Sequence, residues 1–270
     1  MTEKEYRQSE GISRSELWRL NPDNGGTPEK FKWFQEHPEP QTPAMIFGAM
    51  VHKLLLEPET FEAEYAIAPN VDRRTKDGKA AYAAFLEASE GKQEIGAADY
   101  EKALQMVTKC LTEPFVGKLL QGKREEAYRW TDPVTEELCK IRVDCVTEIG
   151  EIPLIVDYKT TADASLEGFT RFALRYGYDF QSGMYCEGIE RITGKTPRFL
   201  FIVQENYAPF AVNVVEADPA FILRGKDKFR ELIGIYHECK QTGSWFGYMG
   251  PEPVIHELLL PSWAGGENKN

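Results

Sequence analysis

The sequence predicts an α/β fold, a central mixed β-sheet flanked by helices with a helical elaboration in front of it. Two observations carry this. Helical patterns dominate residues 1–120, and from 121 to 245 the pattern becomes three strands, a helix, two strands and a helix. The chain of 270 residues, 42% hydrophobic, is long enough to bury a substantial core around such a sheet.

The elements follow in order. In "TPAMIFGAMVHKLLLEP" (42–58), Thr42 is placed to cap a helix, Pro43 occupies its first turn, and Glu57-Pro58 stops it. Nearly every residue between is apolar or small, so the helix is expected to be buried on most sides, with His52 and Lys53 as the exceptions. The basic stretch "NVDRRTKDGK" leads into an alanine-rich helix, and a further helical stretch runs from Ala97 to Leu120. "EEAYRWTD" (125–132), "ELCKIRVDCV" (137–146) and "IPLIVDYKT" (152–160) are rich in aromatic and β-branched residues and read as successive strands, the first two joined by a turn at Asp132-Pro133. A helix over 180–194, strands over 198–204 and 210–218, and a helix over 219–241 complete the pattern. The expectation is one domain over 1–270: a mainly helical part to residue 120 that carries His52, a sheet core over 121–245, and a tail over 246–270 whose last residues, "GGENKN", read as disordered.

Composition narrows the function classes. The formal net charge of −11 argues against a protein coated in basic surface, although a local basic channel or bound cations can still serve nucleic acid. The five cysteines form no C-x-x-C pair, so a reduced, cytoplasmic setting is expected, and Cys139 and Cys145, opposite in parity to Asp144, read as small buried hydrophobes. No apolar run approaches membrane-spanning length. Within the acidic chain, Arg73, Arg74, Lys76 and Lys79 cluster in "DRRTKDGK", a solvated loop or an electrostatic footprint for phosphates.

Chemistry enters through "LIVDYKTT" (154–161). Side chains alternate across a strand, so with Val156 and Tyr158 turned to a core, Asp157 and Lys159 share the other face. Arg142 and Asp144 share a face of the preceding strand. Were the two strands antiparallel neighbours, Asp144 and Asp157 would converge, and two carboxylates so placed repel unless a cation lies between them. Hard oxygen ligands suit Mg²⁺ or Mn²⁺, and an ammonium beside such a site can orient or help deprotonate water and stabilise phosphate charge. Taken alone, D-x-K is as well explained by charges on a solvated face, and His52 by a satisfied core histidine.

The motifs together resemble the PD-(D/E)xK nuclease superfamily and, within it, the RecE-like (exonuclease VIII) phage recombination exonucleases, related to lambda exonuclease and the RecB nuclease domain. The resemblance runs from about Ser13 to Trp245. "FGAMVHKLLLEPETF" looks like the helix with an active-site histidine, His52; "REEAYRWTD" like the strand with an upstream glutamate, Glu125 in preference to Glu126; "IRVDCV" and "IVDYKTT" like the two metal-ligand motifs; "GYDFQSGMY" like the Q-x-x-x-Y helix, with Gln181 and Tyr185. Val143 stands where the nominal motif has proline.

The resemblance implies Mg²⁺-dependent hydrolysis of DNA, with Mn²⁺ as a substitute and two ions per site, by a 5′-to-3′ exonuclease acting on duplex ends. It implies His52, Asp144, Asp157 and the Tyr158 carbonyl as metal ligands, Lys159 positioning the water, and Glu125, Gln181 and Tyr185 in support; Arg142 and, from its charge, the basic loop are the residues expected to contact DNA. It further implies a ring-shaped trimer or tetramer, a single-strand annealing protein as partner, and a phage or prophage origin. An endonuclease or repair nuclease of the same superfamily, or a non-catalytic DNA-binding phage protein, are the alternatives.

Overall fold

The computed structural model describes residues 3–252 and 254–260; the "GGENKN" end expected to be disordered lies outside them. The part before residue 120 holds α1 (Glu3–Gln8), the short β1 (Ile12–Ser13), α2 (Arg14–Leu17), α3 (Pro28–Glu36), α4 (Pro43–Leu56), α5 (Phe61–Glu64), β2 (Tyr65–Ala68), α6 (Lys76–Ala88), β3 (Gln93–Gly96), α7 (Ala97–Thr112) and α8 (Pro114–Leu119). Then come β4 (Lys123–Thr131), β5 (Leu138–Ile149), β6 (Ile152–Thr161), α9 (Leu166–Arg175), α10 (Tyr178–Thr193), β7 (Arg198–Glu205), β8 (Val212–Glu216) and α11 (Pro219–Thr242).

The expected strands and the helix over 42–56 form as read, with Thr42 accepting the backbone N–H of Met45 and Pro43 in the first turn. Pro114 ends the long helix expected to reach Leu120, because proline supplies no N–H to continue it, and the chain restarts as α8. Three features lie outside the expectation, the first being the short β1, which pairs with β5. Helix α9 is capped by Ser165, whose hydroxyl accepts from Gly168 N–H. Strands β2 and β3 pair in parallel over four residues each, too short for alternation to betray them.

The sheet is mixed and runs β1-β5-β6-β7-β8, with β4 on the other edge of β5. Cys139 pairs with both Ile12 and Trp130, and Cys145 with both Val156 and Arg124. One edge of β5 is therefore lined by β4, and the other is shared by β1 at its start and β6 at its end. The β5–β6 hairpin turns at Gly150, whose φ of 65° favours glycine. β6 and β7 run parallel, with α9 and α10 in the connection between them.

Two buried clusters cover the two faces. One joins Ile141, Val143, Ile155, Phe199 and Phe201 to Phe180, Met184 and Phe229 from α10 and α11; the other joins Cys145, Leu154, Val156 and Tyr158 to Val51 and Leu55 from α4 and Met106 from α7. Cys139 lies in the first cluster and Cys145 in the second. Both are buried, as expected, but on opposite faces, because the alternation of β5 breaks between Val143 and Cys145, at Asp144. Toward the C-terminus, Trp245 stacks on Phe31 with ring centroids 5.4 Å apart.

Helix α10 is held against α11 by a glycine contact: a Cβ on Gly183 would lie 2.2 Å from the Gly225 carbonyl carbon, and one on Gly225 would lie 1.8 Å from the Asp179 carbonyl oxygen. The helices approach backbone to backbone, and a methyl group at either position forces them apart. Gly183→Ala is therefore expected to destabilise the protein by about 1–3 kcal/mol, read as a fall of several degrees in Tm, whereas Gly91→Ala, with nothing within 4 Å but a φ of 80°, costs only its backbone strain. Equal Tm for Gly183→Ala and the wild type would show that the close crossing contributes nothing.

Candidate active site

The β4–β5 register pairs Arg124 with Cys145 and Glu126 with Val143; the β5–β6 register ends at Cys145 opposite Val156. Continuing both registers puts Glu125, Asp144 and Asp157 in one row across three strands, and none of the three is bridged to its neighbour in that row. Three carboxylates side by side repel, and the ladder gives way there. Glu125 adopts φ 53°, the left-handed region that non-glycine residues seldom enter. On the other side, the N–H of Tyr158 donates to Asp144 Oδ2 at 2.8 Å.

Helix α4 delivers His52 into this opening. Its Nε2 lies 2.8 Å from Asp144 Oδ2 and its Nδ1 3.2 Å from Glu125 Oε1. Of the expected residues, His52, Glu125 and Asp144 form a cluster whose ligand atoms all lie within 4.8 Å of one another. Glu126, the neighbouring glutamate, is exposed.

Asp157 stands beside the cluster in a different bonding state. Gln181 Nε2 donates to its Oδ1 at 2.5 Å, and Lys159 Nζ is 2.5 Å from its Oδ2. The side opposite Val156 and Tyr158 is therefore not a solvated face, since Asp157 is only 1% exposed. Gln181 supports the acid, not the lysine directly. Lys159 in turn sits 4.7 Å from the ring centroid of Tyr178, a cation–π contact. Tyr178 escaped the sequence reading although its spacing of three from Gln181 puts both on one helix face. Tyr185, one turn beyond Gln181, packs against Phe199 at a centroid distance of 6.4 Å; burial, then Tyr6, Asp157 and Asp144, raises its phenol far above the usual range. The phenol of Tyr158 is directed away, donating to Gln204 Oε1 at 2.6 Å.

Arg14 was also not anticipated: it donates to the Gly177 carbonyl at 2.9 Å, at the start of α10, and lies over the Trp18 ring at 5.2 Å. Nothing in "ISRSELW" marks it. Two expectations about DNA contacts change. Arg142 is buried among Glu3, Glu57 and Glu125 rather than turned to a substrate, because those carboxylates occupy its guanidinium. Arg73 is paired with Glu94 at 3.1 Å and stacked on Tyr82 at 3.5 Å. Arg74, Lys76 and Lys79 are exposed.

Burial works against charge throughout the site. It pushes Asp157 up to about 6, assisted by Asp144 and opposed by Lys159. It likewise raises Glu125 to about 7, with His52 opposing and Asp144 reinforcing. Burial alone would lower His52, but Asp144 and Glu125 outweigh it and raise the imidazole to about 9. Asp144 is held below its usual value, because His52, Lys159 and the Tyr158 N–H overcome its own burial. Lys159 is raised, Asp157 outweighing burial, so its ammonium is a charge and a donor, not a base.

A divalent cation fits this donor set. One imidazole and two carboxylates suit a divalent ion that accepts mixed nitrogen and oxygen ligands, as Mn²⁺ does, and Glu125 Oε1 is buried without a well-formed hydrogen bond. His52, Glu125 and Asp144 would hold it, with Asp157 adjoining; against the expected set, this cluster includes Glu125 and leaves out Asp157 and the Tyr158 carbonyl.

Three groups with raised values bind more protons folded than unfolded, so stability without metal falls as pH rises. The loss from Asp157 and Glu125 runs from their ordinary 3.8 and 4.5 up to about 6 and 7. The contribution of His52 is complete below 6.5 and is lost through about 9. The contribution of Asp144 has the opposite sign but is already complete above its ordinary 3.8. The Tm of metal-free protein should fall between pH 5 and 9, and Mn²⁺ should raise Tm more at pH 8 than at pH 5. A flat Tm profile with a pH-independent metal effect would contradict this electrostatic account.

Comparison with known proteins gives the site a family. No curated protein matches the chain. A crystal structure of a protein from Eubacterium rectale, provisionally named an exonuclease, superposes with a TM-score of 0.63 at 14% identity, covering 96% of each chain; this likeness shows a shared fold. A second structure, SSO0001, gives a TM-score of 0.31 at 14% identity over 69% of this chain and 85% of its own, too low to carry an argument. The central mixed sheet with its flanking helices is a PD-(D/E)xK nuclease fold. The model of the PDDEXK-like domain of unknown function DUF3799 matches residues 29–252, most of the chain, and the protein belongs to that family.

Proposed function

We propose that the protein is a divalent-metal-dependent deoxyribonuclease of the RecE-like type, removing nucleotides 5′ to 3′ from duplex DNA ends. The observation that carries this reading is the His52–Glu125–Asp144 cluster lying directly beside the Asp157–Lys159 pair. A family match to a PDDEXK-like domain and a fold shared with a protein named as an exonuclease support it.

A divalent ion in the cluster would supply Lewis acidity to a phosphoryl oxygen. The chain's own residues do the rest. Lys159 remains protonated and is aimed by Asp157 and Tyr178, so it orients a water and offers positive charge where the phosphorane gathers negative charge. Gln181 fixes the Asp157 carboxylate so that the lysine's direction does not drift. The exposed cations Arg74, Lys76 and Lys79 are suited to phosphates outside the cleavage point. The exposed 3′ strand would pass to a single-strand annealing protein, and a ring-shaped trimer or tetramer in the cytoplasm of a phage- or prophage-bearing cell is the setting this reading implies.

Lys159→Ala should leave Mn²⁺ binding intact while cutting turnover by about 10²–10³-fold or more, and Asp144→Asn should abolish metal-dependent cleavage. Linear duplexes should be shortened and closed circles spared; cleavage of circles would reassign the protein as an endonuclease, and digestion undiminished in excess EDTA would exclude the metal mechanism.

Enclosing the duplex would let an acidic chain stay on DNA with little general attraction for it, and closed cyclic symmetry is the common means. Light scattering should give a trimer or tetramer, and Arg74, Lys76 and Lys79 changed together to Ala should shorten the tract digested per binding event. A monomer that still digests long tracts past a competitor trap would refute the ring.

A further inference from the structure

Arg142 lies outside the metal cluster yet grips it. Its side chain is 8% exposed, and its guanidinium meets three carboxylates: Nε is 2.9 Å from Glu125 Oε2, Nη2 is 3.1 Å from Glu57 Oε2, and Nη1 is 2.5 Å from Glu3 Oε2. The same Nε also lies 3.4 Å from the backbone carbonyl of Glu125. A buried cation with this set of partners is easily read as structural neutralisation alone. Two features point further.

The first is the conformation of Glu125. With φ at 53° and no bridge to Asp144, the residue has left the pleat that normally decides where a strand side chain points. Its direction must be fixed by something other than the ladder. Arg142 holds it at two points, backbone carbonyl and Oε2, and this leaves Oε1 as the oxygen facing His52 Nδ1 at 3.2 Å without a well-formed hydrogen bond. The second is what else the fork reaches. Glu57 is the residue that closes helix α4, the helix carrying His52, so one rigid guanidinium spans β4 and the end of α4. Lys53, within α4 itself, meets the same Glu57 oxygen at 2.9 Å.

We propose that Arg142 is a positioning residue for the metal site: it selects which Glu125 oxygen is presented to the cation and sets the separation of Glu125 from His52. The inference rests on the proposed metal-binding role of the cluster. The planar guanidinium meets acceptors on three elements through three separate nitrogens at fixed spacing; a lysine at this position has one nitrogen and cannot hold Glu125, Glu57 and Glu3 in the same geometry.

The test is Mn²⁺ binding by titration calorimetry, without DNA, on variants whose fold is checked by circular dichroism. Arg142→Lys and Arg142→Met should weaken Mn²⁺ binding by about tenfold to a hundredfold, the range typical when a group that orients a metal ligand is removed. Glu3→Gln, which removes the outermost and 43% exposed partner, should change it by no more than about twofold, as expected of a screened pair. In a Glu125→Gln background, Arg142→Lys should produce little further loss, because the oxygen it positions has already lost its charge. A folded Arg142→Lys with wild-type Mn²⁺ affinity overturns the proposal, and so does a loss that adds in full to that of Glu125→Gln. Should Arg142→Met fail to fold, Arg142→Lys alone decides. If the wild type binds no Mn²⁺, the metal reading falls and this one with it; if it binds Mn²⁺ but cleaves no DNA, the nuclease reading fails while the role of Arg142 is still decided by the binding data.

Discussion

The repulsion among three carboxylates in one row of the sheet is the constraint on which the rest of the site depends. A continuous β4–β5–β6 ladder would set Glu125, Asp144 and Asp157 directly opposite one another, an arrangement that costs rather than stabilises in the absence of a cation. The chain responds by opening the ladder at that row. Glu125 turns into the left-handed region, Asp144 takes the Tyr158 N–H, and Asp157 is taken by Gln181 and Lys159. The carboxylates thus acquire separate partners, and a cation bound among them would take the place of protons.

Packing makes that opening tolerable. The β5 alternation breaks at Asp144, so Val143 faces the α10–α11 side and Cys145 the α4–α7 side. Each face keeps a continuous apolar cluster on either side of the break. The helices then bring the remaining groups from opposite faces: α4 supplies His52, and α10, drawn in close by the Gly183–Gly225 contact, supplies Gln181. A site at a break in the sheet therefore has access to both helical layers, which a site on one regular face would not.

Much of this was legible in the sequence, for identifiable reasons. The strands announce themselves through runs of β-branched and aromatic residues, and helix α4 through its cap, its proline and its stop. The i, i+2 spacing of Asp157 and Lys159 and the hairpin pairing of β5 with β6 were enough to predict convergence of the two aspartates. What stayed hidden depends on departures from regular geometry. Strict alternation put Cys139 and Cys145 on one face, and no local residue announces that Asp144 interrupts it. Arg142 reads as a free cation beside an acid, because its partners Glu3 and Glu57 are far away in the chain and only the fold brings them together. Arg14 reaches the first turn of α10 from 163 residues away, a separation that no pattern in a single sequence encodes.

The same contrast explains how the charges divide between roles. An exposed cation such as Arg74, Lys76 or Lys79 stays hydrated; a cation that is buried needs acceptors within the fold, or its desolvation goes uncompensated. Arg142 and Lys159 are both buried and both paired, yet with different consequences. Lys159 has one carboxylate and an aromatic face, so donors of its ammonium remain for a water or a phosphate. Arg142 has its fork committed to three glutamates and a carbonyl, leaving little to offer a substrate. In an acidic protein such as this, a basic residue's neighbours in space, not its place in a motif, decide whether its donors stay free or are committed to the fold itself.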